Sequence, residues 1–200
     1  PRFSLQACIE PNGTRRDSFM SRWGINRGYE TLDKCFANES TFDLVSICTP
    51  SEFHIDALEK LFPTRPRCVF CEKPITGNPR ETLGIIKAYE AAGIPIAVNY
   101  VRRWDPRMVA LRDELTSGAW GRLQAISGIY AKGLFNSGSH FLDLIHFLFG
   151  PLKPLRVVNR VDDGRSEDPT LSVLLKTEAG VPVNLIGTNY QFFYPFEIDL

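Results

Sequence analysis

The sequence lacks an excess of charge of either sign, and it lacks any long apolar run. Lys and Arg number 23, and Asp and Glu also number 23, so the formal net charge is zero. Without a basic patch or a basic amphipathic helix, we expect no nucleic-acid partner and no membrane surface. Apolar runs such as Phe147-Leu148-Phe149 are too short to span a bilayer, and no cleavable signal pattern opens the chain. The remaining composition, 44% apolar and 23% charged, is ordinary for a soluble globular protein.

Cysteine is scarce, and its spacing predicts neither a disulfide nor a metal site. Four of the 5 cysteines fall in apolar, strand-like runs, where cysteine behaves as a small buried hydrophobe; these are Cys8, Cys48, Cys68 and Cys71. Cys68 and Cys71 form a CxxC, but residues three apart on a strand point to opposite faces. Free thiols indicate a reducing compartment, so we expect a cytoplasmic protein without a bound metal.

Short apolar runs alternate with helical patterns through the first half of the chain. The predicted strands are 3–9, 24–29, 43–48, 68–71 and 94–98, and the predicted helices are 14–23, 31–36, 51–62 and 79–92. We expect Thr14 or Asp17 to cap the first helix and Ser51 to cap the third. Regular alternation of strand and helix predicts an α/β fold with a Rossmann-like parallel sheet, over residues 1–99.

The second half, residues 100–200, has a different pattern. Helices are predicted at 106–117 and 138–149, and strands at 122–131, 157–161, 171–176, 181–187 and 192–200. Consecutive strands joined by short turns predict antiparallel pairing, and therefore an α+β domain with a large open sheet. One sheet face would be covered by helices and the other would pair with a partner, so we expect a homodimer or homotetramer.

The strand 68–71 leads directly into Glu72-Lys73-Pro74. The carboxyl ends of parallel strands form the edge at which ligands bind in open α/β sheets, so we expect Lys73 at that edge. A lysine in that position can carry a proton to or from a substrate hydroxyl. The alternative is an ordinary strand end with a solvated lysine.

Five short motifs together carry a family resemblance. They are Thr49-Pro50 with His54, Glu72-Lys73-Pro74, Asn99-Tyr100, Arg102-Arg103, and Gly138-Ser139-His140 followed by Asp143. In this order and spacing the chain resembles the Gfo/Idh/MocA oxidoreductases, the NAD(P)-dependent dehydrogenases of sugars, inositols and nucleotide sugars. The resemblance covers most of the chain, and the Glu-Lys-Pro turn and the G-x-H-x-x-D helix are its specific parts.

The resemblance implies a set of catalytic and cofactor residues. It implies Lys73 in the proton relay and in contact with cofactor and substrate, and His140 on the hydroxyl being oxidised. It also implies cofactor contacts from Thr49, Pro50, Glu72 and Asn99. Glu10 matches the acidic residue that receives the adenosine ribose hydroxyls, and a carboxylate there favours NAD over NADP. Arg15 could pair with the 2′-phosphate of NADP, or could lie on a solvated helix face.

Four departures from the family pattern are visible, and one is the short segment between the predicted strand 122–131 and His140. Asn136 stands where many members carry an aspartate, and an amide orients a hydroxyl but cannot accept its proton. The proton would then fall to Lys73 and His140, or the chain would be a non-catalytic sensor or scaffold that binds sugar or cofactor. The neutral asparagine resembles that of members from surface-polysaccharide gene clusters, which tend to act on nucleotide sugars. No G-x-G-x-x-G turn occurs and the last strand stops early, so we expect a chain that lacks about thirty residues at its front and part of its sheet at its back.

Three further residues are candidates for the ligand pocket, and two of them, His54 and Arg103, have two interpretations each. His54 could line the nicotinamide pocket or simply pack. Arg103, at the predicted domain junction, could hold a sugar or phosphate oxygen or form an interdomain ion pair. Tyr130, at the end of a predicted strand, is expected to face the substrate. His140, Asp143 and His146 lie on one helical face, but the absence of a fourth ligand argues against a metal there.

Overall fold

A computed structural model describes residues 3–200. The chain divides into two compact units, Pro1–Asn99 and Tyr100–Leu200. The first unit alternates strands and helices in the order β1 (Ala7–Ile9), α1 (Gly13–Trp23), β2 (Arg27–Tyr29), α2 (Leu32–Phe36), β3 (Leu44–Ile47), α3 (His54–Leu61), β4 (Cys68–Cys71), α4 (Pro79–Ala91) and β5 (Ile96–Val98). This order confirms the predicted α/β class.

All strand pairs described in the first unit are parallel. β1 pairs with β2, and β3, β4 and β5 form a second hydrogen-bonded group in that order. The core on this sheet is built from apolar residues of the strands and helices, with Leu58 and Leu61 of α3 and Val69 of β4 fully buried. Tyr89 of α4 joins them and donates its hydroxyl to the carbonyl of Leu58 at 2.6 Å, so its polar atom is satisfied inside the core.

Two predicted helix caps are wrong. Asn12, not Thr14 or Asp17, caps α1, because its side chain accepts from the backbone N–H of Arg15. Ser51 is not a side-chain cap either, because it begins a 3₁₀ turn, Ser51–Phe53, that leads into α3. A turn that continues directly into a helix already supplies backbone acceptors.

The second unit has one large sheet and two main helices. Its elements are α5 (Pro106–Ser117), β6 (Ile126–Ala131), a π-helix (Gly133–Gly138), α6 (Ser139–Phe149), β7 (Leu152–Arg160), β8 (Leu171–Thr177), β9 (Pro182–Thr188) and β10 (Phe196–Asp199). The strand order is β10-β6-β9-β8-β7. All neighbours are antiparallel except β6 and β9, which are parallel, so the predicted mostly antiparallel sheet is confirmed.

Helix α6 is seated on the sheet by a close contact with β6. Phe141 and Ile145 are fully buried. Gly128 leaves the space that the Phe141 ring fills, since a Cβ on Gly128 would lie 1.7 Å from a ring carbon. The position of α6 therefore depends on the absence of a side chain at Gly128 of β6.

No helix within residues 3–200 has both the length and the hydropathy needed to cross a membrane. Over the same residues, the His, Cys, Asp and Glu side chains form no group of three or more in a metal-binding arrangement. The five cysteines are free, and Cys48 is exposed rather than buried as predicted, because it lies just beyond the end of β3.

Candidate active site

The carboxyl ends of three strands meet at one edge of the first unit. In the parallel register, Ile47 lies opposite Cys71, and Cys71 lies opposite Val98. The ladder continues one residue further, since the N–H of Glu72 donates to the Ile47 carbonyl and the N–H of Asn99 donates to the Cys71 carbonyl. Glu72 and Asn99 are therefore neighbours at the edge where ligands bind in such sheets.

The Glu-Lys-Pro turn is fixed by a side-chain bond between adjacent strands. The amide of Asn99 donates to the carboxylate of Glu72 at 2.6 Å, and both residues are half-buried. Lys73 is also half-buried, and its peptide bond to Pro74 is cis. The sequence prediction that Lys73 stands at the strand edge agrees with this placement.

His54 connects two turns of the first unit. Its ring nitrogens lie 2.8 Å from the carbonyl oxygen of Pro74 and 2.8 Å from that of Thr49. The side chain is fully buried. One ring N–H donates to one of these carbonyls, and the imidazolium form donates to both. The surroundings of His54 match the packing alternative rather than a direct contact with the cofactor, while Thr49 and Pro50 themselves are exposed.

Glu10 follows β1 and holds the entry to α1. Its carboxylate accepts from the N–H of Asn12 at 2.8 Å, and its backbone carbonyl accepts from the Arg16 guanidinium at 2.8 Å. Arg15 is exposed on α1. The two arginines therefore differ in their contacts. Arg16 donates a hydrogen bond to the Glu10 backbone, whereas Arg15 is exposed on the helix surface.

In the second unit, Asn136 lies in the π-helix and His140 in the first turn of α6. The π-helix begins at Gly133, whose φ is 87°, and the residue before it, Lys132, has a left-handed φ of 67°. The Asn136 amide donates to the Lys132 carbonyl at 3.2 Å. The wider π turn thus carries the amide and the imidazole on successive turns of one continuous helix.

Tyr100 packs against His140. The two rings meet edge to face with centroids 5.7 Å apart and planes at 88°. Burial raises the pKa of the Tyr100 hydroxyl, and its hydrogen bond with Ser139 opposes the rise. Ser139 in turn donates to the Phe135 carbonyl at 2.6 Å. Tyr100 belongs to the Asn99-Tyr100 motif, but the sequence predicts no role for it, because ring packing across 40 residues leaves no local sequence signal.

Arg103 is engaged within the second unit. Its Nε donates to the Asp143 carboxylate at 2.7 Å, and its guanidinium lies 5.5 Å from the Phe147 ring centroid. Burial raises the pKa of Asp143, and the hydrogen bond and charge of Arg103 oppose the rise. Both partners belong to the second unit, so the interdomain ion pair considered from the sequence is wrong.

The prediction that Tyr130 faces the substrate is also wrong. The side chain is fully buried in the core beneath α6. Its hydroxyl donates to the Leu171 carbonyl and accepts from the Leu171 N–H, both at 2.9 Å. Burial raises the pKa of Tyr130 to about 12. Its polar atom is satisfied by the neighbouring strand and is not exposed to a ligand.

Comparisons with known proteins agree with this architecture. The chain is 30% identical over 213 residues to an inositol 2-dehydrogenase from Leifsonia xyli subsp. xyli, covering 96% of this chain and 60% of the relative. It is 28% identical over 198 residues to a D-apiose dehydrogenase from Paraburkholderia graminis, covering 88% of this chain and 52% of the relative. The chain spans about half of the length of the curated relatives that it matches, between 48% and 61%.

A solved structure shares the fold at lower identity. The WlbA dehydrogenase from Bordetella pertussis, crystallised with NADH and UDP-GlcNAcA, superposes with a TM-score of 0.77 at 18% identity, covering 90% of this chain and 61% of that one.

The family assignment comes from a sequence-family model. The model GFO_IDH_MocA, described as an oxidoreductase family with an NAD-binding Rossmann fold, matches residues 1–100. That match covers half of the chain and includes the Glu-Lys-Pro motif at Lys73. The chain belongs to the Gfo/Idh/MocA oxidoreductase family.

Proposed function

We propose that this chain acts as an NAD(P)-dependent dehydrogenase on a hydroxyl-bearing carbon of a sugar or nucleotide sugar. The observation that carries the proposal is the Glu-Lys-Pro turn, which presents Lys73 at the ligand edge of a parallel sheet and is held by Asn99 and His54. Family membership supports the reaction class. The names of the inositol and apiose relatives support a polyol or sugar, and the WlbA complex supports a nucleotide sugar.

The residues at the strand ends suit a dinucleotide in their chemistry. Glu10 follows β1, Thr49 and Pro50 follow β3, and Glu72 and Asn99 follow β4 and β5. Carboxylate and amide groups at such an edge accept from and donate to ribose hydroxyls. The carboxylate of Glu10 favours NAD, because it repels a 2′-phosphate. The exposed Arg15 would favour NADP, because its guanidinium could pair with that phosphate.

The chemical step divides into a hydride and a proton. A bound nicotinamide would supply the acceptor for the hydride of the carbinol carbon, or its donor in the reverse direction. The hydroxyl proton leaves as the C=O bond forms, and we assign its transfer to Lys73 and His140. Asn136 orients the hydroxyl and does not accept the proton. Tyr130 is buried and has no part in this step, whereas Arg103, whose Nε bonds Asp143, stays a candidate contact for a sugar or phosphate oxygen.

We also propose that two copies pair through the open sheet. β7 is exposed over nearly its whole length, and Leu155, Val157 and Val158 on it are more than half exposed. Apolar side chains in a row on a sheet edge are typical of a surface that a second chain covers. Five free thiols agree with the reducing cytoplasm as its compartment.

The test is formation of NADH or NADPH by the longest protein that carries this sequence. The substrates would be myo-inositol, D-apiose and UDP-sugars, each with NAD⁺ and with NADP⁺. Lys73→Met should lower turnover by about 10²–10⁴-fold, because one positioned acid–base group contributes on that order. Lys87→Met, an exposed lysine on α4, is the matched control and should leave turnover unchanged.

Two outcomes would overturn the proposal. Equal turnover in Lys73→Met would remove Lys73 from the chemistry. Saturable binding of a sugar without any NADH formation would favour a non-catalytic sensor, an alternative supported by Asn136 in place of the family's aspartate.

A further inference from the structure

The loop between β7 and β8 caps the turn that carries Asn136. The first four N–H groups of a helix have no partner within it. Here the first turn of the π-helix receives an acceptor for each one from Asp168-Pro169-Thr170. The Thr170 hydroxyl accepts from Gly133 at 2.8 Å, and the Pro169 carbonyl accepts from Leu134 at 3.2 Å. The Asp168 carboxylate accepts from Phe135 at 2.7 Å and from Asn136 at 3.0 Å.

This loop is itself held by a hydrogen bond and an ion pair between its own residues. The Thr170 hydroxyl donates to the Asp163 carboxylate at 2.6 Å, and both side chains are buried. A hydroxyl has one proton, so donation to Asp163 directs an oxygen lone pair to the Gly133 N–H. Arg165 lies 3.4 Å from the Asp168 carboxylate and forms an ion pair with it. These contacts within the loop therefore fix the positions of the Thr170 hydroxyl and the Asp168 carboxylate, which accept from the turn.

The loop packs so closely against the turn that no side chain fits at Gly133. A Cβ on Gly133 would lie 2.0 Å from an Asp168 carboxylate oxygen, and the φ of Gly133 is 87°. Only glycine adopts that backbone conformation without strain, and only glycine lets the carboxylate approach. The close approach suits an anionic group at a helix start, where the free N–H groups favour negative charge.

We propose that Asp168 is a positioning residue for Asn136 and His140. Its carboxylate holds the backbone N–H of Asn136 directly, and it holds Phe135, whose carbonyl accepts from Ser139, the neighbour of His140. Asp168 therefore sets the orientation of both candidate substrate contacts from 28 to 32 residues away in sequence. The functional part of this role rests on the proposed dehydrogenase activity, whereas the structural part does not.

The test that does not need turnover is amide hydrogen exchange measured by NMR. In the wild type, the amides of residues 133–136 should exchange slowly although they lack partners within the helix. Asp168→Ala should speed exchange at Phe135 and Asn136 by about tenfold to a hundredfold, as expected for loss of hydrogen bonds to a charged group. Asp168→Asn has one carbonyl oxygen instead of two acceptors, so one of the two amides should stay protected. The exposed Glu167→Gln is the matched control and should change neither.

A role limited to stability would not move two further readouts. Asp168→Asn should shift the imidazole signals of His140 and should lower kcat more than it raises KM, because the substrate contacts are misplaced rather than removed. Unchanged exchange at both amides in either folded variant would overturn the proposal. Fast exchange of these amides in the wild type would overturn it as well, even if neither variant folds. Changed exchange in a protein without any dehydrogenase activity would leave the positioning intact and reject only the proposed reaction.

Discussion

The two turns that carry the candidate chemistry are built in different ways. In the first unit, the Glu-Lys-Pro turn is the continuation of β4, and its bond to Asn99 comes from the adjacent strand. In the second unit, the turn that carries Asn136 is held by Asp168, 32 residues further along the chain in a loop. A regular sheet sets the position of the Glu-Lys-Pro turn, whereas an irregular loop sets the position of the turn that carries Asn136.

This difference explains which turn the sequence reveals. A parallel strand fixes the place of the residue that follows it, so a strand pattern followed by Lys73 is enough to locate the lysine. An irregular loop has no periodicity, so nothing in its sequence indicates which turn it contacts. The two turns should therefore lose stability through substitutions of different kinds, which differ in their expected effect on the free energy of unfolding.

The largest stability effect is expected from His54→Ala in the first unit. The substitution removes a fully buried ring and leaves at least one of the carbonyls of Thr49 and Pro74 without a donor. Loss of packing together with unsatisfied polar groups should lower the free energy of unfolding by roughly 2–4 kcal/mol. Urea unfolding measures the change. A loss below about 0.5 kcal/mol, the size of an ordinary surface substitution, would show that the two turns do not depend on His54.

Gly128→Ala should be next in size and should act in the second unit. The new Cβ overlaps the Phe141 ring, so α6 must shift or the ring must leave its rotamer. Overpacking of this kind costs roughly 1–3 kcal/mol.

The matched control is Gly84→Ala, in the interior of α4, where a Cβ meets nothing within 4 Å. That substitution should stabilise by about 0.5–1 kcal/mol, because alanine loses less backbone entropy in a helix. Equal effects of the two substitutions on thermal unfolding would contradict the close seating of α6.

Arg103→Ala tests the ion pair beside the second turn. It leaves the largely buried Asp143 carboxylate without its partner, which should cost roughly 1–2 kcal/mol since the guanidinium is partly exposed. Arg67→Ala is the control in the first unit, because its pair with Asp43 is almost fully exposed and should contribute less than about 0.5 kcal/mol. A similar cost for both, measured by urea unfolding, would remove the distinction between the two pairs.

The effect that is smallest at neutral pH appears only in alkali, and it is confined to the first unit, because all five cysteines lie there. Burial raises the pKa of Cys35 to about 11 and that of Cys71 to about 12, above the ordinary value of 9.0. The folded state therefore holds these protons more tightly than the unfolded state. Their contribution to stability is complete below pH 9 and is lost as the pH rises towards 12.

Cys71→Ala should reduce this dependence on pH in urea unfolding. A thiol reagent should modify the exposed Cys48 well before Cys35 and Cys71. Reaction of all three at the same rate would contradict the burial of the two thiols.

Much of the fold follows from the sequence alone. The alternation of apolar strands with capped helices predicted the parallel sheet, and short turns predicted the antiparallel one. Both predictions are local, since they need only the spacing of apolar residues and of glycine, proline and asparagine. Asn78 and Pro79 at the start of α4 illustrate this, because cap and first-turn residues act within one helix turn.

The failed site predictions share a physical cause. Tyr130 looked accessible at a strand end, but the sequence does not indicate which face of β6 is covered, and its hydroxyl finds Leu171 41 residues away. An interdomain ion pair was one interpretation of Arg103, but its partner Asp143 lies in α6 of the same unit, 40 residues further along the chain. Contacts between remote residues decide which polar groups are satisfied internally and which remain for a ligand.

The most direct test of the account follows the hydrogen on the carbinol carbon. The longest protein that carries this sequence would be incubated with NAD⁺ and with a substrate from the panel that is deuterated at its carbinol carbons, and the reduced nicotinamide would be examined by NMR. The account predicts deuterium at C4 of the nicotinamide in the wild type and little or none in Lys73→Met. Absence of deuterium from the cofactor in the wild type, with every substrate of the panel, would contradict the assignment of this chain as a dehydrogenase.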